Sequence, residues 1–178
     1  MYTWGAGADE VDAVLPGDEL VAAGGIRTTR AVTINAPADA VWLWLAQIGE
    51  DRGGFYSYSR PERSVGARIH NADTVHPEWQ ELHAGDAIWL ARRYGEGARE
   101  VIAAVEPKSH LVLMSPDDFD RLQHGERPPA HGLLSPTRGA ADAATRAWQW
   151  RRGRALFATV QNEHALASRR DQWQAIED

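Results

Sequence analysis

Apolar residues recur at intervals that change along the chain, and each change marks an element. Between residues 8 and 15, Val11, Val14 and Leu15 keep helical spacing and Pro16-Gly17-Asp18 stops the turn, which predicts a short helix. From 26 to 34, Thr28, Thr29, Val32, Thr33 and Ile34 supply the β-branched side chains that suit a pleated surface, and a first strand is predicted there. Asn35-Ala36-Pro37 follows. Proline suits the first helical position because its missing N–H would have no intrahelical partner, and Asp39 then sits near the positive end of the helix dipole. Val41, Trp44, Leu45 and Ile48 fall at i, i+3, i+4 and i+7, one stripe of a helix over 37–48 that Gly49 ends.

The pattern then breaks. Gly53-Gly54-Phe55-Tyr56-Ser57-Tyr58 mixes permissive glycines with aromatics, and Pro61 and Gly66 forbid a long helix after it, so this stretch is expected to be loop with a helical turn or two. Strands are predicted at 86–91, at 99–106 and at 110–115, the last two joined by a Glu106-Pro107-Lys108-Ser109 turn. Both arms of that hairpin are apolar on both faces, which predicts deep burial. Pro116-Asp117-Asp118-Phe119 opens a segment expected to be polar loop. From 128 to 154 there is little sustained alternation, although Trp148 and Trp150 share a side if extended. Residues 155–160 read as a short strand, and Asn162, Leu166, Trp173 and Ile176 as a terminal helix.

With 178 residues and 43% hydrophobic side chains, the chain is sized for one core, and wholesale disorder is excluded. A net charge of −6 gives no electrostatic reason to bind nucleic acid or anionic lipid. With no cysteine, disulfides, thiolate metal sites and cysteine nucleophiles are excluded. The start lacks a basic region followed by an apolar run, and the longest apolar run, near 41–45, falls far short of the roughly 20 residues that cross a bilayer; a cytoplasmic protein without a transmembrane segment is expected. Charge is uneven: residues 1–127 balance to −8 and residues 128–178 to +2. Two parts are therefore expected, a core over 1–127 and an atypical C-terminal part over 128–178.

Strand, then Ala31-Val32-Thr33-Ile34-Asn35-Ala36-Pro37-Ala38-Asp39-Ala40-Val41-Trp42, then a break and antiparallel hairpins, resembles the START-like helix-grip superfamily (SRPBCC), which includes the birch-pollen allergen and polyketide cyclase groups. Gln47-Ile48-Gly49, Arg52-Gly53-Gly54-Phe55-Tyr56-Ser57-Tyr58, Ile69-His70-Asn71-Ala72-Asp73 and Glu78-Trp79-Gln80 are similar to a bacterial branch of it, and the likeness covers about residues 4–125. The resemblance implies an α+β helix-grip fold, in which a curved antiparallel sheet grips a long C-terminal helix around a hydrophobic cavity. The aromatic-rich hairpin and closing strand of the family pattern are not recognisable in 128–178. That part is either family sequence too divergent to align or a tail read in another frame, and its strands and helix are atypical or incomplete.

Trp concentrates in this chain, at 8 against 3 Phe and 4 Tyr, and rings with a polar edge can line an apolar pocket while orienting a ligand. The expected ligand-binding set is Trp42, Phe55, Tyr56, Tyr58, His70, Trp79 and Trp89, with Trp44 nearby, although core packing alone would account for most of these rings. His70, Tyr56 and Tyr58 are the catalytic candidates, His70 because an imidazole titrates near neutrality. His70, Asp73, His76 and Glu78 carry donors that zinc could use, but loop spacing does not fix one face and bracing of a turn is the preferred reading. No metal and no cofactor is expected. The glycine pair lacks a following Lys-Ser/Thr, and no Gly-x-Ser-x-Gly elbow exists, so phosphate-loop and serine-hydrolase readings are set aside.

Three functions remain in order. The first is binding of a small hydrophobic or aromatic metabolite or lipid in an internal cavity. The second is a cyclase or dehydratase using the same pocket. The third is a truncated, non-functional family member. Fold alone does not choose among them.

Overall fold

The computed structural model describes residues 3–22, 26–55, 70–128, 145–151 and 154–161, with 3–4, 26–28, 145–151 and 154–161 given as backbone. Tyr56, Tyr58 and the helix expected over 162–176 lie outside the described residues. The architecture is mixed α+β. Seven strands form one sheet in the order β1-β2-β7-β6-β5-β4-β3, antiparallel except at the β1–β2 edge.

β2 (Ile26–Thr33) follows its β-branched run to within a residue, and β1 (Thr3–Trp4), which no pattern predicts, pairs with it in parallel. α1 (Ala8–Val11) is a single turn, shorter than the span predicted to Leu15. The Pro16–Gly17 turn wins there: the Leu15 amide donates to the Asp18 carboxylate at 2.8 Å, which holds Leu15 outside the helix. α2 (Ala38–Leu45) starts one residue late, with Pro37 extended at the N-cap, and stops well before Gly49. Its buried positions are Trp42 and Ala46, flanked by Val41 and Leu45, while Trp44 is 37% exposed. Val41, Leu45 and Ile48 of the expected stripe pack against this core, and the difference is that Trp42 rather than Trp44 is the buried ring.

β3 (Ala87–Trp89) is shorter than predicted, since Leu90 and Ala91 turn away to bond the Ala98 carbonyl. β4 (Arg99–Glu106) and β5 (His110–Met114) form the predicted hairpin. Its turn has Lys108 at φ 66°, the left-handed conformation that a proline-initiated type II turn needs at its third position. The hairpin is buried through Glu100–Ile102 and Leu111–Met114, and its tip is exposed.

The segment expected as loop after Ser115 is a helix, α3 (Pro116–Gln123). Ser115 caps it by accepting from the Asp118 amide at 3.2 Å and donating its hydroxyl to the Asp118 carboxylate at 2.8 Å; Pro116 fills the first turn. Local capping starts this helix, and Phe119 and Leu122, three apart and half-buried, give it an apolar side. β6 (Thr145–Arg151) and β7 (Arg154–Gln161) follow, β6 where no strand alternation was expected and β7 over the predicted 155–160 run. β6 pairs with β5 and β7 with β2, so the C-terminal strands sit in the middle of the sheet.

The sheet has two covered faces. On one, Trp42, Ala46 and Leu82 pack with Ile88, Ile102, Leu111 and Leu113. On the other lie Val112 and Met114, whose positions alternate with those, and the N-terminal segment, with Leu15 and Ala31 packed beside Ala6 and Ala13. Among the described residues no helix is long and apolar enough to cross a membrane.

Candidate functional site

One loop, residues 46–55, gathers most of the candidate residues that the structure describes. It leaves α2 at Ala46 and doubles back through a Gly49–Gly54 bridge. Gly54 has φ 77°, and a Cβ on it would come within 2.6 Å of the His70 carbonyl oxygen and 2.5 Å of the Asn71 side chain, so this crossing requires glycine. The Ala72 amide donates to the Gly53 carbonyl at 3.0 Å, which lays the 70–76 segment along the loop. On the opposite side the Glu50 amide donates to the Trp89 carbonyl at 2.8 Å, and the Asp51 carboxylate pairs with Arg92 at 3.1 Å.

Gln47 fixes the arrangement. Its side chain is 0% exposed; its amide nitrogen donates to the Thr74 carbonyl and its amide oxygen accepts from the His76 backbone, both at 3.1 Å. A buried amide satisfied at both ends costs little, and leaving either partner unpaired would cost about 1–3 kcal/mol. Gln80 adds a second tie, donating to the Leu43 carbonyl of α2 at 3.1 Å. The short 3-10 turn Pro77–Trp79 is thereby docked beside α2.

The candidate residues take different positions. Trp42 is core, packed between α2 and the sheet. Phe55 is half-buried at the end of the loop, and His70 is exposed beside it. Trp79 is half-buried and stacks on His76, with ring centroids 4.2 Å apart and planes 30° apart. Trp89, half-buried at the end of β3, has the guanidinium groups of Arg92 and Arg99 at 5.4 Å and 5.9 Å from its ring centroid. Each guanidinium is itself tied to a carboxylate, Asp51 and Glu96. The backbone of His70 thus lies along one side of the 46–55 loop and that of Trp89 along the other, while Trp79 stacks on His76. Among the described residues no group of three or more histidine and carboxylate side chains is placed to hold a metal ion, and His70, Asp73, His76 and Glu78 do not converge as a ligand set.

His76 carries the densest polar contacts. Its Nδ1 lies 3.2 Å from the Glu78 carboxylate and its Nε2 3.4 Å from the Thr74 hydroxyl. The Glu78 carboxyl is held below the usual glutamate range, first by a hydrogen bond from its own backbone amide and then by His76. Sequence reasoning missed two residues here and a buried carboxylate on the sheet. Gln47 appears in a motif but its buried bonds reach 27 and 29 residues along the chain. Thr74 has no signal of its own. Glu100 is a buried carboxylate on β4, paired in register with Ile88; its spacing of two from Ile102 was a legible sign of an inward position.

Compared with known proteins, the chain matches no family model, no curated protein and no solved structure.

Proposed function

We propose that the protein binds a small hydrophobic or aromatic metabolite or lipid between its sheet and its helices, as a member of the START-like helix-grip class. The observation that carries this reading is the extent of the face on which α2 packs. Residues opposite one another in an antiparallel ladder share a face, and one row of partners crosses the sheet from Val105 through Leu111, Trp148 and Phe157 to Arg30. The next carries Trp150, Ala155 and Val32, and Val32 is 38% exposed. Seven strands about 4.8 Å apart make a sheet roughly 29 Å wide, whereas an eight-residue helix is about 12 Å long. We place the ligand on the part of this face beyond α2, with the aromatic residues around the 46–55 loop at one end. The cyclase or dehydratase reading has less support, since its described candidate His70 is exposed.

Native mass spectrometry of the full chain as purified, compared with its mass after denaturation, tests the proposal. A compact ion carrying a releasable apolar adduct is expected. A bare ion, together with an apolar dye whose fluorescence does not rise in the protein's presence, overturns it.

A further inference from the structure

We propose that Thr74, His76 and Glu78 form an acyl-transfer site for small carboxylic esters, with Thr74 as the acyl acceptor. The three side chains lie in line: hydroxyl to Nε2 at 3.4 Å, Nδ1 to carboxylate at 3.2 Å. With the proton on Nδ1 donated to Glu78, Nε2 is the acceptor that faces the Thr74 hydroxyl, the tautomer a general base requires. The imidazole is held on three sides. Trp79 covers one ring face, Glu78 fixes Nδ1, and the buried Gln47 amide grips the His76 backbone and the Thr74 carbonyl together. Such fixation is what distinguishes a base poised for proton transfer from a histidine free to rotate. The Glu78 carboxylate at Nδ1 holds the imidazole in one orientation.

The reaction balances with water as the sole co-reactant. The Thr74 oxygen attacks the ester carbonyl while His76 Nε2 takes the hydroxyl proton; the ester C–O bond breaks and His76 returns that proton to the leaving alkoxide. Water then attacks the threonyl ester by the same route, releasing the carboxylic acid and restoring Thr74. Glu78 acts through His76 and is a positioning residue. Thr74 and Glu78 are exposed, and the ester approaches them from solvent.

The test uses the full chain and p-nitrophenyl acetate. Acid quenching at early times followed by peptide mapping should place one acetyl group on Thr74, with p-nitrophenolate released in step. T74A should lose the adduct, T74S should keep it, and H76A should slow release by about 100-fold or more. E78Q should lower the rate and move the pH–rate profile, and E78D should restore part of both. These side chains lie at the surface, and matching thermal melts for T74A, T74S and E78Q would show that folding is intact. Acetylation elsewhere, or p-nitrophenolate release unchanged in T74A, overturns the proposal and leaves the contacts as braces of the loop.

Discussion

The two faces of the sheet are covered by different means. Under α2, bulk does the covering: Trp42, Leu82, Ile88, Ile102, Leu111 and Leu113 fill the space with large side chains. Under the N-terminal segment a few large side chains, Leu15, Val112 and Met114, are joined by small residues that let the chain come close. Ala31 packs with Ala6 and Ala13, and two glycines bring backbone directly onto the sheet. A Cβ on Gly5 would stand 2.2 Å from the Ala31 carbonyl oxygen, and one on Gly17 would stand 2.7 Å from the Val112 side chain. The first face should therefore suffer most from truncation, and the second from enlargement.

Truncation gives the largest effect. Ile102 is 0% exposed in the centre of the helix-side core, and Ile102→Ala should cost about 4 kcal/mol, combining lost transfer energy with an unfilled cavity. Leu15→Ala should cost about 2–3 kcal/mol, because the N-terminal segment is joined to the sheet through few large side chains and can settle into the space. Urea unfolding of both variants measures the difference, and an equal or greater loss for Leu15→Ala would break the comparison.

Enlargement comes next. Gly17 has φ 95°, so Gly17→Ala meets both left-handed backbone strain and the Val112 methyl, together about 2–3 kcal/mol. A double-mutant cycle separates the two. Adding Val112→Ala should recover the steric part and leave the backbone part of about 1 kcal/mol, so the pair should be less destabilising than the sum of the single changes. Additive losses would mean that the close approach to Val112 carries no energy.

Gln47 sharpens the comparison from the polar side. Gln47→Leu keeps the volume but strands the Thr74 carbonyl and the His76 amide, and should cost about 1–3 kcal/mol. The loss should be local as well as global. Amide exchange at His76 should accelerate more than at Leu113, where the sheet ladder is untouched; equal acceleration at both would show that Gln47 supports the whole core rather than the 70–76 segment.

What was legible in the sequence follows from the range of the forces involved. The 99–106 and 110–115 strands and the helix near 37–48 are written in the spacing of neighbouring residues, and they appear at Arg99–Glu106, His110–Met114 and Ala38–Leu45. The burial of Trp42 in place of Trp44 was not legible, because which ring turns inward depends on the sheet beneath. The Gln47 bonds to Thr74 and His76 cross nearly thirty residues and leave no local trace. β6 escaped notice because its Thr-Arg-Ala-Trp-Gln-Trp-Arg run becomes a strand by pairing on both sides, with β5 and β7. The candidate site was legible as a list of aromatic residues, and its organising loop was legible only as glycines.

α3 lies beside β4 with Phe119 and Leu122 only half-buried, and it tests how far short-range capping holds an element that large side chains cover in part. Its first turn rests on the reciprocal bonds between Ser115 and Asp118, and Ser115→Ala should cost about 1 kcal/mol. The smallest effect is one of pH. The Asp118 carboxyl is raised above its ordinary value, chiefly by burial, with the Ser115 hydroxyl acting in the opposite direction. A raised carboxyl binds its proton more tightly in the folded protein than in the unfolded one, so its contribution is complete below the ordinary aspartate value and is lost as pH rises through the folded value. Relative to Asp118→Asn, which still accepts from Ser115 but cannot titrate, wild type should thus gain a little stability on acidification through that window. Thermal melts of both proteins between pH 3 and pH 6 measure it. Parallel curves would mean that Asp118 is solvated like any surface carboxylate and that the cap works through its hydrogen bonds alone.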